Sequence, residues 1–175
     1  MPMGGLRKFW CLTWNPEVAH RRACAKVNQC GPESQGMECE MLNQLKNPLD
    51  LVGRILIALL FLPAGIQKIS GFAGTVGYAT SVGMPMPQIA VGVGLVIEIL
   101  GGLAILLGWH TRWAALILGF FTLVASFFFH NFWGVPAEAA MMQQLLFWKN
   151  IAVVGGLLGY AAHGAGAWSV DGRKA

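Results

Sequence analysis

The chain has 175 residues, room for one domain of ordinary size. It is 55% hydrophobic and 11% charged, against about 25% charged in a soluble domain, and between Leu51 and Val170 the formal charges are Arg54, Lys68, Glu98, Arg112, Glu138 and Lys149 alone. That stretch cannot supply the hydrated exterior of a water-soluble fold, and a net charge of +4 with no dense basic run does not make a nucleic-acid surface.

In chain order, residues 1–47 come first. They are polar and basic, without sustained apolar periodicity or the apolar run of a cleavable signal peptide, and predict a flexible or weakly helical cytoplasmic extension. Met37 or Met41 would serve equally well as the start. The four cysteines, Cys11, Cys24, Cys30 and Cys39, all lie here. They form no C-x-x-C pair, so no zinc or iron–sulfur framework is readable and free thiols are expected.

Four apolar segments follow, at 49–68, 88–108, 113–130 and 145–163. Each approaches the ~20 residues that cross a ~30 Å hydrocarbon layer. Period-two alternation is absent, which excludes a transmembrane barrel. Backbone in lipid must satisfy its own hydrogen bonds, which leaves helices. The expected fold is an all-α, up-down-up-down integral membrane four-helix bundle over residues 48–171. Pro63 should kink the first helix. Gly83-Met-Pro-Met-Pro87 breaks the chain before the second, and Gly108-Trp-His-Thr-Arg112 is a tight turn making the second and third antiparallel neighbours. The fourth helix should start early, near Ala137. Ten of the twelve basic residues fall on one side of this topology. The positive-inside rule then puts both termini in the cytoplasm, as expected for a bacterial inner-membrane protein.

Glu98 is the most informative residue. It sits mid-helix among Val96, Ile97, Ile99 and Leu100, where a charge costs at least ~2.5–3.5 kcal/mol and needs a partner inside the bundle. Lys149 or Asn150 on the fourth helix is the expected partner, with Gln67, Lys68 and His130 lining the same outward vestibule. The plainer alternative is a polar clasp without turnover. Arg54 reads first as a membrane anchor whose guanidinium snorkels to phosphates. Phe127, Phe128, Phe129, Phe132 and Trp133 read as an aromatic belt, secondarily as walls for a quinone-like ring. Gly155-Gly-Leu-Leu-Gly159 has a small-xxx-small spacing suited to close helix approach. His110 and His163 lie at one depth but flank loops, so haem ligation is disfavoured. No phosphate-binding glycine loop is present, and no metal site is read.

Arg54, Gly65-Ile-Gln-Lys68, Gly83 with Pro85, Glu98-Ile-Leu-Gly-Gly102, and Gly108 with Thr111-Arg112 recur in an ordered series. His130, Asn150, Gly164-Ala-Gly166 and Ser169-Val-Asp171 complete it. In this order and spacing, over roughly 49–171, the chain resembles the DoxX family of small bacterial membrane proteins. The resemblance implies four membrane helices and membership of an oxidoreductase or quinone-linked complex, with links to thiosulfate oxidation and oxidative stress. The membrane part holds no cysteine, paired mid-membrane histidines or nucleotide loop, so any electrons would belong to a bound quinone or a partner subunit. The expected site has Glu98, Lys149 and His130 as proton-handling groups, and Gln67, Lys68, Asn150 and Trp133 around the quinone or substrate. A non-enzymatic scaffold is the second reading and a small transporter the third. Substrate, electron acceptor and homo-oligomer formation stay open.

Overall fold

A computed structural model describes residues 36–173, with side chains from residue 43. The expectations for residues 1–35, and for the thiols of all four cysteines, lie outside the described residues. Within them the helices run α1 (Gly36–Ser70), α2 (Phe72–Ser81), α3 (Pro87–Leu107), α4 (Thr111–Phe129) and α5 (Ala137–His163), with a 3-10 turn at Phe132–Gly134 before α5. No strand occurs among the described residues. Four spans are long and apolar enough to cross a membrane: Asn43–Ser70, Pro87–Leu107, Thr111–Gly134 and Ala137–His163. Their 28, 21, 24 and 27 residues meet the ~20 that a bilayer demands.

Two stretches differ from the sequence reading. α1 begins at Gly36 and continues through Pro48 and Pro63 without interruption, so the first helix starts well ahead of the apolar segment read at 49–68. α2 occupies a stretch read as loop; its threonines and glycines give no apolar period. It packs on α3, buries Ala79, and holds the end of α4 through Tyr78, whose hydroxyl donates to the Phe129 carbonyl and whose ring stacks on Phe129. α5 does start at Ala137.

The described residues from Lys46 onward form one compact unit. Its core joins α1, α3, α4 and α5 through Phe61, Ile105, Ala114, Ala115, Leu118 and Leu157. Small residues make the contact possible: a Cβ on Gly101 would lie 2.7 Å from Leu118 Cγ. The outward faces carry exposed Leu56, Leu59, Leu100 and Phe120, which lipid solvates where water would not. Gly155, Gly156 and Gly159 belong to that outer face, with open space beside them. Their small-xxx-small spacing therefore mediates no packing among the described residues, contrary to the sequence expectation.

At one end of the bundle the chain after α5 folds back over the α3–α4 turn. Val170 and Asp171 donate backbone N–H groups to the Leu107 and Gly108 carbonyls. The Asp171 carboxylate accepts from the His110 N–H and from both the N–H and hydroxyl of Thr111, each at 2.9 Å. It thus caps the amino end of α4 from a distance of sixty residues, satisfying orphan donors that the local sequence leaves open.

Arg54 completes this junction and corrects its reading as an anchor. Its side chain is 1% exposed. It donates to the Leu106 carbonyl at 3.1 Å and to the Trp168 carbonyl, tying α1 to the carboxyl end of α3 and to the returning tail. Carbonyls at a helix end are unpaired and carry partial negative charge, so they attract a cation that would otherwise snorkel outward. Gly108 is indispensable beside it. Its φ of 68° lies in the left-handed region, and an added Cβ would stand 2.4 Å from Ser169 Cβ and 2.5 Å from Arg54 Nη1. Gly108→Ala should therefore lower stability by at least about 1 kcal/mol from the backbone alone, with the displaced guanidinium adding to it. Denaturation in mild detergent measures this, and an unchanged midpoint would contradict the packing.

Partial burial pushes the Asp171 carboxyl upward, but the hydrogen bonds from Thr111 and His110, with the His110 charge, outweigh it and the net shift is below its ordinary 3.8. A depressed carboxyl contributes stability that is complete above the unfolded value and fades as pH falls through the folded one. Tail protection, read as hydrogen exchange at the Val170 and Asp171 amides, should persist at neutral pH and weaken only under acid below that range. In Asp171→Ala it should be weak at neutral pH as well.

Candidate functional site

The clearest chemistry in the bundle is an ion pair between α1 and α3. Lys68 Nζ lies 2.8 Å from both carboxylate oxygens of Glu98. The Glu98 side chain is 8% exposed and that of Lys68 27%, so the pair opens on the lysine's side. No second ion pair occurs among the described residues.

Local geometry explains the pairing. Glu98 stands nine residues before the end of α3, about 14 Å along the axis, near the centre of a ~30 Å layer. Gly65 meets α3 at the same level: a Cβ there would lie 2.7 Å from Ile99 Cγ1 and 3.4 Å from Glu98 Cβ. Lys68 follows Gly65 by three residues, on the same face of α1. Helical side chains slope toward the amino end, which carries the ammonium back to the carboxylate. The Gly-x-x-Lys spacing, with a glycine at the approach, was the available signal.

This corrects the expected pairing of Glu98 with Lys149 or Asn150. Lys149 is exposed on α5 and Asn150 is half-buried; the hydrogen-bonding partner of Glu98 is Lys68. The reason is reach, because α1 touches α3 at Gly65 and its lysine needs no further bend. His130 is also placed differently. Its Nδ1 lies 2.9 Å from Gln143 Oε1, joining the end of α4 to α5 through a glutamine that sequence reasoning passed over. Gln67 is exposed one residue before Lys68. Trp133 joins Phe127, Phe132 and Phe147 in a cluster of edge-on and tilted rings 5.0–6.1 Å apart. The structure thus brings Glu98 and Lys68 together. Among the described residues it places His130, Trp133, Lys149 and Asn150 in no hydrogen bond or ion pair with them.

Two clefts are present elsewhere. One, of about 470 Å³, lies beside the returning tail and includes His110, Arg112, Trp113, His163 and Asp171. The other, of about 460 Å³, runs between α3 and α4 and is lined by apolar side chains. Glu98 lines neither. No group of three or more His, Cys, Asp or Glu able to hold a metal occurs among the described residues.

Four apolar helices packed with small residues, clasped by one buried arginine and crossed by one ion pair, define a multi-pass helical membrane protein in a lipid bilayer. A match to the DoxX family spans residues 49–131. The chain is 37% identical over 123 residues to inner membrane protein YphA of Escherichia coli K12, covering 70% of this chain and 88% of that protein. It is 42% identical over 125 residues to inner membrane protein YqjF of the same organism, covering 69% and 88%. The chain belongs to the DoxX family. A weaker likeness, 25% over 174 residues, relates it to the Surfeit locus protein 4 homolog of Schizosaccharomyces pombe, covering 98% of this chain and 49% of that protein. No solved structure matches.

Removing one member of a buried pair strands the other, at a cost of about 3–5 kcal/mol, whereas removing both costs far less. Lys68→Met leaves Glu98 facing the bundle interior and should be the more destabilising single change. Glu98→Gln leaves a lysine that reaches the surface. The double variant should recover most of the loss, and additive losses would show that the two side chains are not coupled.

Proposed function

We propose that this chain is a multi-pass inner-membrane subunit of a quinone-linked redox system, with both termini cytoplasmic. Lys68 and Glu98 bind a quinone headgroup, or a small carbonyl substrate like it, and handle its protons. The observation that carries this reading is the ion pair. An ammonium has three N–H donors; the two carboxylate oxygens of Glu98 engage two of them, leaving one for a carbonyl oxygen on the exposed side of Lys68. The pair needs only one proton shift to change between charged and neutral forms. That suits it to deliver or accept a proton at a bound oxygen. A quinone supplies electron acceptance when bound; the protein's part is to hold the carbonyl, exclude water and supply the proton.

Gln67, beside Lys68, and His130 with Gln143, at the same end of the bundle, are the proposed route between this centre and the outer surface. Trp133 and its cluster of edge-on and tilted rings are the proposed apolar wall near that end, with Lys149 and Asn150 assigned to it from α5. Helix polarity supports this placement, since α1 and α4 both run away from the end where Arg54 and Thr111 meet the tail.

A second reading has its own observation. Neither cleft includes Glu98, and the same ion pair would serve a scaffold by fixing the register of α1 against α3. Extraction of purified protein separates the two. On the quinone reading, quinone co-purifies at near-stoichiometric amounts. Lys68→Met then reduces it about tenfold or more, as expected for one lost charge-assisted hydrogen bond, while Glu98→Gln retains quinone and loses quinol-coupled turnover. No quinone with the intact protein, together with an unaltered double variant in the cell, would leave the scaffold.

A further inference from the structure

The two clefts meet at one residue. Trp113 lines both the polar cleft beside the tail and the apolar groove between α3 and α4, and it is 68% exposed. We propose that together they form a binding site for a single anionic phospholipid, with its phosphate in the polar cleft and one acyl chain in the groove. This site is separate from Lys68 and Glu98 and does not depend on the function proposed for them.

The groove has the dimensions of one leaflet. On α4 its wall is Trp113, Leu116, Ile117, Phe120 and Val124, a stripe at helical spacing that covers about 16 Å at 1.5 Å per residue. Half of a ~30 Å hydrocarbon core is about 15 Å. The facing wall is Val93 and Ile97 of α3. α3 and α4 run antiparallel from the Gly108 turn, so the groove descends from the Trp113 end toward the membrane centre. It holds almost no polar surface, and a hydrocarbon chain matches it.

The mouth has the charge for a phosphate. Arg112 sits on the first turn of α4 and lines the cleft. Among the described residues its guanidinium has no carboxylate within ion-pair distance. Arginine's planar fork suits phosphate oxygens. His163 lines the same cleft at the carboxyl end of α5. Its Nδ1 donates to the Gly159 carbonyl oxygen at 3.0 Å, and in the imidazolium form Nε2–H is a second donor that can reach a phosphate oxygen. His110 adds a second ring. The one carboxylate present, Asp171, is occupied by three donors of the α4 amino end and is offset by that helix's partial positive charge. Indole rings such as Trp113 favour the boundary between headgroups and hydrocarbon. An amphiphile with a negative head and an apolar chain answers both halves; a free phosphate answers only the mouth.

The test uses the full-length protein in detergent with phosphatidylglycerol, phosphatidylcholine, glycerol phosphate and inorganic phosphate as separate probes. Native mass spectrometry should show one phosphatidylglycerol retained per chain and phosphatidylcholine retained about tenfold less or weaker. Arg112→Gln should lower phosphatidylglycerol retention about tenfold or more, as loss of one bidentate contact implies, with Arg112→Lys intermediate. Ile117→Trp fills the groove without touching the charge, and should also lose the lipid while keeping its helical content. Retention unchanged in Arg112→Gln and Ile117→Trp would overturn the site. Glycerol phosphate or inorganic phosphate displacing the lipid at equal concentration would overturn its lipid occupant in favour of a soluble phosphate.

Discussion

Arg54 is among the largest fully buried side chains in the described protein, and the hydrogen-bond partners of its guanidinium are backbone carbonyls. It donates to the last turn of α3 and to the returning tail. Its Nε is the one buried side-chain polar atom without a partner among the described residues, which costs about 1–3 kcal/mol. The junction bears that cost because it resolves a larger one. In a lipid layer the free carbonyls ending a helix have no water to turn to, and a cation placed among them closes the helix, the tail and α1 in one contact.

The same logic acts a second time at the other level of α1. Lys68 reaches Glu98, so the helix is fastened to α3 by two cationic side chains fourteen residues apart, about 21 Å along its axis. Between them Phe61, Leu62 and Gly65 lie against Ile99 and Gly102. One contact uses carbonyls and cannot change its charge; the other pairs two titratable groups and can. That difference argues for placing chemistry at Glu98 and architecture at Arg54, although both are buried charges on one interface.

The membrane spans were legible because lipid imposes a simple rule on composition: long apolar runs with charges at their ends. The turn at Gly108 and the early start of α5 were legible from local chain chemistry. α2 was not, because ten residues of mixed threonine, glycine and alanine carry no period, and what holds them is a contact with α3 and Phe129. Glu98 announced itself as a buried charge in need of a partner. Its partner did not: Lys149 or Asn150 was the expected one, and only the depth at which Gly65 meets α3 selects Lys68. Arg54 was misread for the same reason: an arginine near a helix entrance is an anchor or a clasp according to what folds over it.

Sequence alone determined that this chain lives in a bilayer as four helices and that Glu98 lies inside it, because the energy of apolar and charged groups in lipid depends on residue type and position along a helix. Tertiary structure decided which groups meet: Lys68 with Glu98, Arg54 with the ends of α3 and the tail, Asp171 with the start of α4. Those choices depend on how helices separated by thirty to more than one hundred residues align in depth and rotation, and nearest-neighbour chemistry along the chain holds no record of that.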